Sequence, residues 1–291
     1  MRSAELVVLH AGPMATIQDL GRPGLARIGV GASGAADRGS LKLANRLVGN
    51  PEDAAAVEIT VGDFSASPTG DLLMAVTGAP VPIWVDDRPE GCNAVLRVRA
   101  GQTLRVGIAS AGVRSYLAVR GGIAVPPVLG SRSTDTMAHL GPAVLEDGVR
   151  LPVGAPPTTY PTVDQAVTRG PTDARLRVIM GPRDDWFTAA SRRALVTEPW
   201  TATAVGDRIG MRLAGPVLER VVSRELSSEG VVRGALQVPP GGHPTLMLAD
   251  HPVTGGYPVI AVVVDADIDR AANIRPGDTL FFEETRKQVL T

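Results

Sequence analysis

Short apolar, mostly β-branched runs punctuated by glycine or proline recur along the whole chain, and they constrain its fold more than any other feature. Leu6–Leu9, Leu72–Val76, Val81–Val85, Ala94–Val98, Thr103–Ile108 and Ser115–Val119 are the clearest in the first half. Leu176–Ile179, Thr245–Leu248, Val259–Val264 and Thr279–Phe282 continue the series. Runs of this length, with turn residues at each end, read as strands of a sandwich or barrel. With 33 glycines and 24 prolines as punctuation, few long helices can form, and the fold class is read as all-β. Three helices are expected. One starts near Asp37 or Ser40, carries Leu41, Ala44 and Val48 on one stripe with Leu43 and Leu47 beside it, and stops at Gly49. A second runs from about Asp185 with Trp186, Phe187, Ala190 and Ala194 inward, and a third follows Asp267 and ends before the Arg275-Pro276-Gly277-Asp278 turn.

A chain of 291 residues suffices for roughly two domains that together bury about three quarters of their unfolded surface. The strand signal collapses between Leu151 and Asp173, where Pro-Val-Gly-Ala-Pro-Pro-Thr-Thr-Tyr-Pro-Thr lacks the N–H groups a sheet needs. The expected lobes are therefore residues 1–165 and 166–291. Each opens on a similar phrase, a short strand followed by Gly12-Pro13 or Gly181-Pro182, which is weak evidence for duplicated barrels.

Charge and composition exclude several classes. A formal charge of -1 supplies no field for nucleic acid, and three Trp, three Tyr and four Phe give few stacking platforms. Lys42 and Lys287 are the only lysines, so a P-loop or Schiff-base lysine has almost no candidates. With Cys92 alone, no internal disulfide can form, and a reduced cytoplasm is the expected compartment. The apolar stretch Leu6–Leu9 is too short for a signal-peptide core, and Val259–Val264 is about a third of the ~20 residues a membrane helix needs. The four histidines are scattered, so no metal site is expected, and no Gly-x-Ser-x-Gly elbow occurs.

The segment Thr16–Asn45 concentrates polar side chains on a glycine-rich backbone and is the expected working surface. Its Gly29-Val30-Gly31-Ala32-Ser33-Gly34 string matches a dinucleotide fingerprint, but Gly21-Arg22-Pro23-Gly24 breaks the strand that such a site requires. Read for side chains, the segment offers Gln18, Asp19, Arg22, Asp37, Ser40 and Asn45. Asp37 or Ser40 is also suited to cap the helix, and Asp19 to pair with Arg22 across a turn. Glu58 lies on an otherwise apolar stretch and must meet an arginine or face a cavity. Arg120 and Arg132 suit either a carboxylate or phosphate ligand or an internal ion pair to Glu58 or Asp37. In the second lobe Asp250, Thr254 and Tyr257 flank a Thr-Gly-Gly-Tyr loop, readable as an anion nest or as a tight turn with Tyr257 packed under it.

Several strings together resemble one family: Thr16-Ile17-Gln18-Asp19-Leu20-Gly21-Arg22; Gly34-Ala35-Ala36-Asp37 with Ser40 and Leu43-Ala44-Asn45; Arg120-Gly121-Gly122 with Gly130-Ser131-Arg132-Ser133-Thr134; Ser228-Glu229-Gly230 with Gln237-Val238-Pro239; and Ala249-Asp250 with Thr254-Gly255-Gly256-Tyr257-Pro258. They resemble the allophanate hydrolase subunit 2 family, which is also that of the 5-oxoprolinase C-type subunits, the Kip-inhibitor antagonists and the biotin-dependent carboxyltransferase-like proteins. The resemblance implies two cyclophilin-like β-barrel subdomains and an enzyme subunit. It would work beside a subunit 1 or Kip-inhibitor-like protein and a lactam-utilisation-type subunit, using ATP to open 5-oxoproline to glutamate. The alternatives it implies are biotin-dependent carboxyl transfer to urea, and a non-catalytic regulator that antagonises a kinase inhibitor. The chain lacks a Met-Lys-Met biotin acceptor, so biotin would arrive on another protein, and ATP is used by the complex, with a partner as one place for it to bind. The match is less tidy at Pro252-Val253, where the family leads one to expect a polar pair. On this resemblance Asp19, Arg22 and Asp37 are the expected catalytic group, with Asp19 or Asp37 as general base. Gln18, Ser40, Asn45, Glu58, Arg120, Arg132, Asp250, Thr254 and Tyr257 are the expected substrate contacts.

Overall fold

A computed structural model describes residues 4–167 and 174–285; Lys287 and Asp173 lie outside them. Two compact units divide the chain: residues 1–22 with 33–171, and residues 23–32 with 172–291. The Thr16–Asn45 segment, expected to act as one surface, is thus shared between the two units, its middle grouping with the second.

The first unit carries strands β1 (Glu5–His10), β2 (Met14–Gln18), β3 (Ala56–Thr60), β4 (Phe64–Pro68), β5 (Leu72–Gly78), β6 (Ile83–Val85), β7 (Arg88–Glu90), β8 (Val95–Val98), β9 (Leu104–Val106), β10 (Arg114–Val119) and β11 (Arg150–Pro152). They form a six-stranded sheet in the order β11-β1-β4-β9-β6-β7 and a five-stranded sheet in the order β2-β3-β10-β5-β8. Leu6, Val8, Phe64 and Leu104 from one sheet meet Ile17, Val57, Met74, Leu96 and Leu117 from the other in one core. Each such fully buried side chain contributes about 1.5–3 kcal/mol.

Helix α1 (Arg38–Leu47) covers the other face of the five-stranded sheet. Asp37 caps it, its carboxylate accepting from the Ser40 N–H at 2.9 Å and the Ser40 hydroxyl at 2.6 Å. Leu41, Ala44 and Leu47 pack onto Ala56, Ala75, Tyr116 and Ala118, and Gly49 at φ 72° lets the chain leave the helix. Because both sheet faces are covered, β10 is buried at every position, which explains why its sequence shows no polar-apolar alternation.

In the second unit, β12 (Arg175–Met180), β13 (Trp200–Gly206), β14 (Gly210–Ala214), β16 (Ala235–Gln237), β17 (Thr245–Met247), β19 (Val259–Val263) and β20 (Thr279–Glu284) close a barrel in the order β12-β19-β16-β17-β14-β13-β20. The parallel pairing of β12 with β20 completes it. A two-stranded ribbon, β15 (Glu229–Gly230) with β18 (Thr254–Gly255), lies outside the barrel ladder. Trp200 and Phe282 anchor the core with rings 6.5 Å apart, and the Trp200 indole N–H donates to the Leu195 carbonyl at 3.0 Å.

Helix α2 (Ala189–Thr197) starts later than Asp185, because Asp184–Trp186 forms a separate 3-10 turn and Thr188 supplies the cap. Its buried residues are Ser191 and Leu195 rather than Ala190, which is exposed, and Ala194, which is half-buried. Helix α3 (Asp265–Ala271) begins before Asp267. The all-β reading holds: these three short helices are the α-helices among the described residues.

Candidate functional site

Register places a row of polar residues across the first unit's five-stranded sheet. Thr16 on β2 pairs with Glu58 on β3, Glu58 with Tyr116 on β10, and Tyr116 with Thr77 on β5. All four are at most 1 % exposed. Alternation along a strand sends Val57 and Leu117 into the core and turns this row toward α1. Each strand contributes only one of these residues, so the row is invisible in any single stretch of sequence.

The start of α1 closes over the row. Tyr116 donates its hydroxyl hydrogen to Glu58 Oε2 at 2.7 Å and accepts from the Asp37 N–H at 2.8 Å. Glu58 Oε2 also accepts from the Ala36 N–H at 3.0 Å, and Thr77 donates to the Ser40 carbonyl at 2.6 Å. Arg114 Nη1 reaches Glu58 Oε1 at 3.3 Å and Thr60 Oγ1 at 2.7 Å. Burial, then the Glu58 and Asp37 carboxylates, push the Tyr116 phenol well above its usual range, so it stays a neutral donor. Glu58 does meet an arginine, but it is Arg114. The sequence pointed to Arg120 or Arg132 because an arginine at a strand's first residue resembles an ordinary surface charge.

A second cluster adjoins the row at the end of β2. Asp19 Oδ1 accepts from the Gly21 N–H at 2.7 Å and from the Ser131 and Ser133 hydroxyls at 2.6 Å each; Oδ2 accepts from the Arg132 N–H at 2.6 Å. Four donors on one carboxylate make Asp19 the organiser of the 131–135 loop. The expected Asp19–Arg22 turn pair does not form; Arg22 instead donates Nη2 to the Ser133 carbonyl. Gln18 Nε2 donates to the Thr134 carbonyl at 2.9 Å and to Thr16 Oγ1 at 3.0 Å, which ties the cluster to the row. Gly34, at φ 96°, lies against the Leu20–Gly21 backbone so closely that a Cβ would stand 2.8 Å from the Gly21 nitrogen. Only glycine allows the chain to cross there.

Three buried polar atoms in this cluster have no hydrogen-bond partner among the described residues: Gln18 Oε1, Arg22 Nη1 and Thr134 Oγ1. Arg22 Nη1 forms a buried ion pair with Asp135 Oδ2 at 3.8 Å, too long to be a hydrogen bond, so its charge is balanced while its N–H is not bonded. A buried polar group left unmatched costs about 1–3 kcal/mol, so an acceptor, a donor-acceptor hydroxyl and a guanidinium N–H held this way are suited to a small polar guest.

The remaining sequence candidates are placed differently. Asp37 and Ser40 are the helix cap, the alternative their positions allowed, and the carboxylate of Asp37 is engaged there rather than presented as a base. Asn45 donates to the Ala54 carbonyl at 2.7 Å and accepts from Asn50 at 3.0 Å, which fixes the chain after α1. Arg120 donates to the carbonyls of Val48, Pro157 and Thr159 and stacks over Tyr160 at 4.4 Å. Arg132 donates Nε to the Val125 carbonyl at 2.7 Å. In the second unit Asp250 meets Arg208 through two bonds of 2.9 Å with both side chains at 0 % exposure, so its carboxylate faces no solvent. Thr254 lies on β18 and is exposed. Tyr257 is 48 % exposed rather than packed beneath its turn, and its carbonyl accepts from Gln237 at 3.3 Å. Thr134, Tyr116 and Arg114 are not distinguished as site residues by sequence; Thr134 ends the Gly130–Thr134 string, the one signal that could have found it.

The family model of the carboxyltransferase domain, subdomain A and B, matches residues 28–284. The chain is 39% identical over 280 residues to the C subunit of 5-oxoprolinase from Escherichia coli (strain K12), covering 95% of this chain and 90% of that protein. It is 35% identical over 288 residues to the C subunit of 5-oxoprolinase from Haemophilus influenzae, covering 97% and 91%. In structure it is similar to the urea amidolyase of K. lactis, with a TM-score of 0.90 and 29% identity, covering 98% of this chain and 19% of that one.

Proposed function

The chain belongs to the family of carboxyltransferase domains, subdomains A and B, and from that premise we propose that it is the C-type subunit of an ATP-dependent 5-oxoprolinase, opening 5-oxoproline to glutamate within a complex. What carries this reading is the likeness to the two bacterial 5-oxoprolinase C subunits over nine-tenths or more of both chains. A subunit 1 or Kip-inhibitor-like protein and a lactam-utilisation-type subunit are the partners it calls for, in the cytoplasm. No helix among the described residues is long and apolar enough to cross a membrane.

Arg22, Gln18 and Thr134 are the residues we assign to the substrate. Arg22 Nη1 is a fixed guanidinium donor for the carboxylate of 5-oxoproline, Gln18 Oε1 an acceptor for its lactam N–H, and Thr134 Oγ1 a donor for the carbonyl oxygen whose charge grows as the ring opens. Asp19, Asp37 and Glu58 act as positioning residues, since their carboxylates hold the 131–135 loop, the α1 cap and the Tyr116–Arg114 network. A P-loop is not supported among the described residues: Lys42 is turned to Glu52 at 3.6 Å, and no glycine-rich loop leads from a strand to it. ATP use is therefore assigned to a partner.

The test is reconstitution of this chain with its two partner subunits, following glutamate formation from 5-oxoproline and ATP. Omitting the chain should abolish turnover, and Arg22→Ala should lower kcat/KM by about 100-fold with the complex still assembled. Full turnover without this chain, or with Arg22→Ala, refutes the assignment. A second reading, carboxyl transfer to urea from biotin carried on another protein, is favoured by the likeness to urea amidolyase. Urea-dependent decarboxylation of a carboxybiotin carrier, with 5-oxoproline inert, would select it.

A further inference from the structure

A cleft of about 1350 Å³ in the first unit lies away from the polar row and holds only one of the residues expected to meet substrate, Arg120. β7 and β8, the terminal strands of the two sheets, line it together with the 153–156 stretch and Tyr160. Most of its charge is already committed. Arg88 pairs with Glu90 at 2.6 Å, Asp71 accepts from the Ala100 N–H at 2.9 Å, and Arg120 is engaged by three carbonyls. Arg97 and Arg99 are exposed, and among the described residues their guanidinium groups have no partner. Arg97 lies on β8 and alternation turns it to the face opposite the buried Leu96 and Val98, while Arg99 stands just past the strand's end, where its N–H and carbonyl are bonded to Gln102. The cleft's uncommitted charge is therefore two neighbouring cations, Arg97 on the strand edge and Arg99 at its end.

That edge already accepts an added strand. The Val95 N–H donates to the Asp164 carbonyl at 2.8 Å, the Ala166 N–H donates to the Asn93 carbonyl at 2.8 Å, and Ala94 bridges antiparallel to Gln165. The two-residue period that turns the Val95 N–H outward does the same for Arg97, but the pairing stops at Asp164, and Pro161 has no N–H with which to extend it. The open remainder of the β8 edge thus offers backbone groups flanked by arginines. The volume exceeds the roughly 300–1000 Å³ of small-molecule pockets.

We propose that this cleft docks an extended acidic segment of a partner protein, which adds as a strand along β8 and pairs its carboxylates with Arg97 and Arg99. Charge complementarity and the edge's existing use by residues 164–166 argue for a peptide rather than a small anion. A protein partner also fits the family setting: in K. lactis urea amidolyase the matching region is 19% of one longer chain, so the rest of that chain is protein beside it. The proposal stands apart from the 5-oxoprolinase reading, because its test reads binding and not turnover.

The probe is a fluorescein-labelled heptapeptide of alternating valine and glutamate, titrated with the full chain at physiological salt. Saturable binding is expected, weakened about tenfold or more by R97E with R99E. The same peptide with alternate backbone nitrogens methylated keeps its charge but cannot form a ladder, and it should bind at least about tenfold more weakly. Both arginines are exposed and unpartnered, so the variant should unfold at the parent's temperature. The proposal is overturned by no binding, by binding indifferent to the charge reversal, by equal binding of the methylated peptide, or by displacement with inorganic phosphate or ATP, which would mark a small-anion site.

Discussion

The two units bury charge in opposite ways. In the barrel, Arg208 and Asp250 face each other through two 2.9 Å bonds with neither side chain exposed, and the Asp250 N–H returns to the Arg208 carbonyl at 2.9 Å. The pair answers itself. In the first unit, Glu58 is shared among a neutral phenol, a backbone N–H and an arginine, and next to it Gln18, Arg22 and Thr134 each keep one polar atom unmatched. The second unit also holds an unmatched buried atom, Arg220 Nε, but among the described residues only in the first unit do three from different side chains gather in one cluster, and it is that convergence which distinguishes a site from a strut.

The largest effect should come from breaking the reciprocal pair. Asp250→Ala leaves a guanidinium buried without its counter-charge and should cost about 3–5 kcal/mol, read as a fall in the urea midpoint at unchanged slope. Arg208→Met combined with Asp250→Leu removes both charges. It should be neutral, or stabilising by about 1–4 kcal/mol, with binding of 5-oxoproline unchanged. A double variant that folds yet no longer binds 5-oxoproline would give the barrel pair a functional role and undo the contrast.

Asp19 should show an intermediate effect, because the first unit's cluster depends on it for shape. An amide can replace one carboxylate oxygen, but its NH₂ then confronts either the Arg132 N–H or the donors on Oδ1. Asp19→Asn should therefore cost about 1–3 kcal/mol. Faster hydrogen exchange should be confined to the amides whose bonds converge on Asp19 and Ser131, those of Gly21, Arg132 and Ser133. Loss of turnover without any local exchange change would return Asp19 to the role of a general base.

Why the barrel is easier to read than the site follows from what each depends on. Leu176–Ile179, Val259–Val264 and Thr279–Phe282 announce strands because their residues are contiguous and apolar, and β12, β19 and β20 form there. The α1 start is legible for a similar local reason, an aspartate three residues before a serine ahead of an apolar stripe. Met14–Gln18, Ala56–Thr60 and Phe64–Pro68 do not stand out as strands, since small and polar residues dilute their β signal. The Thr16–Glu58–Tyr116–Thr77 row cannot be read at all. It exists only through three strand registers that join positions scattered over the chain, and sequence pattern alone does not fix cross-strand partners. Asp250 passes for a substrate contact for the same reason, because Arg208 is far from it in sequence and meets it only when the barrel closes.

The smallest effect on stability carries the finest test of the contrast. Thr134→Val keeps the side chain's shape and removes only the unmatched hydroxyl; the residue's backbone bonds, N–H to the Ile17 carbonyl and carbonyl to Gln18 Nε2, remain. Were that hydroxyl a structural member, its loss would destabilise the protein. Having no partner to lose, it should leave the unfolding free energy within about 0.5 kcal/mol of the parent, or raise it. If the unmatched atom is kept for substrate, the same change should raise KM for 5-oxoproline about tenfold in the reconstituted complex, since a site built around a hydroxyl is penalised when that group is missing. A variant with unchanged stability and unchanged KM would show that an unmatched buried atom here marks packing tolerance rather than a site, and the distinction between the two units would reduce to the geometry of their ion pairs.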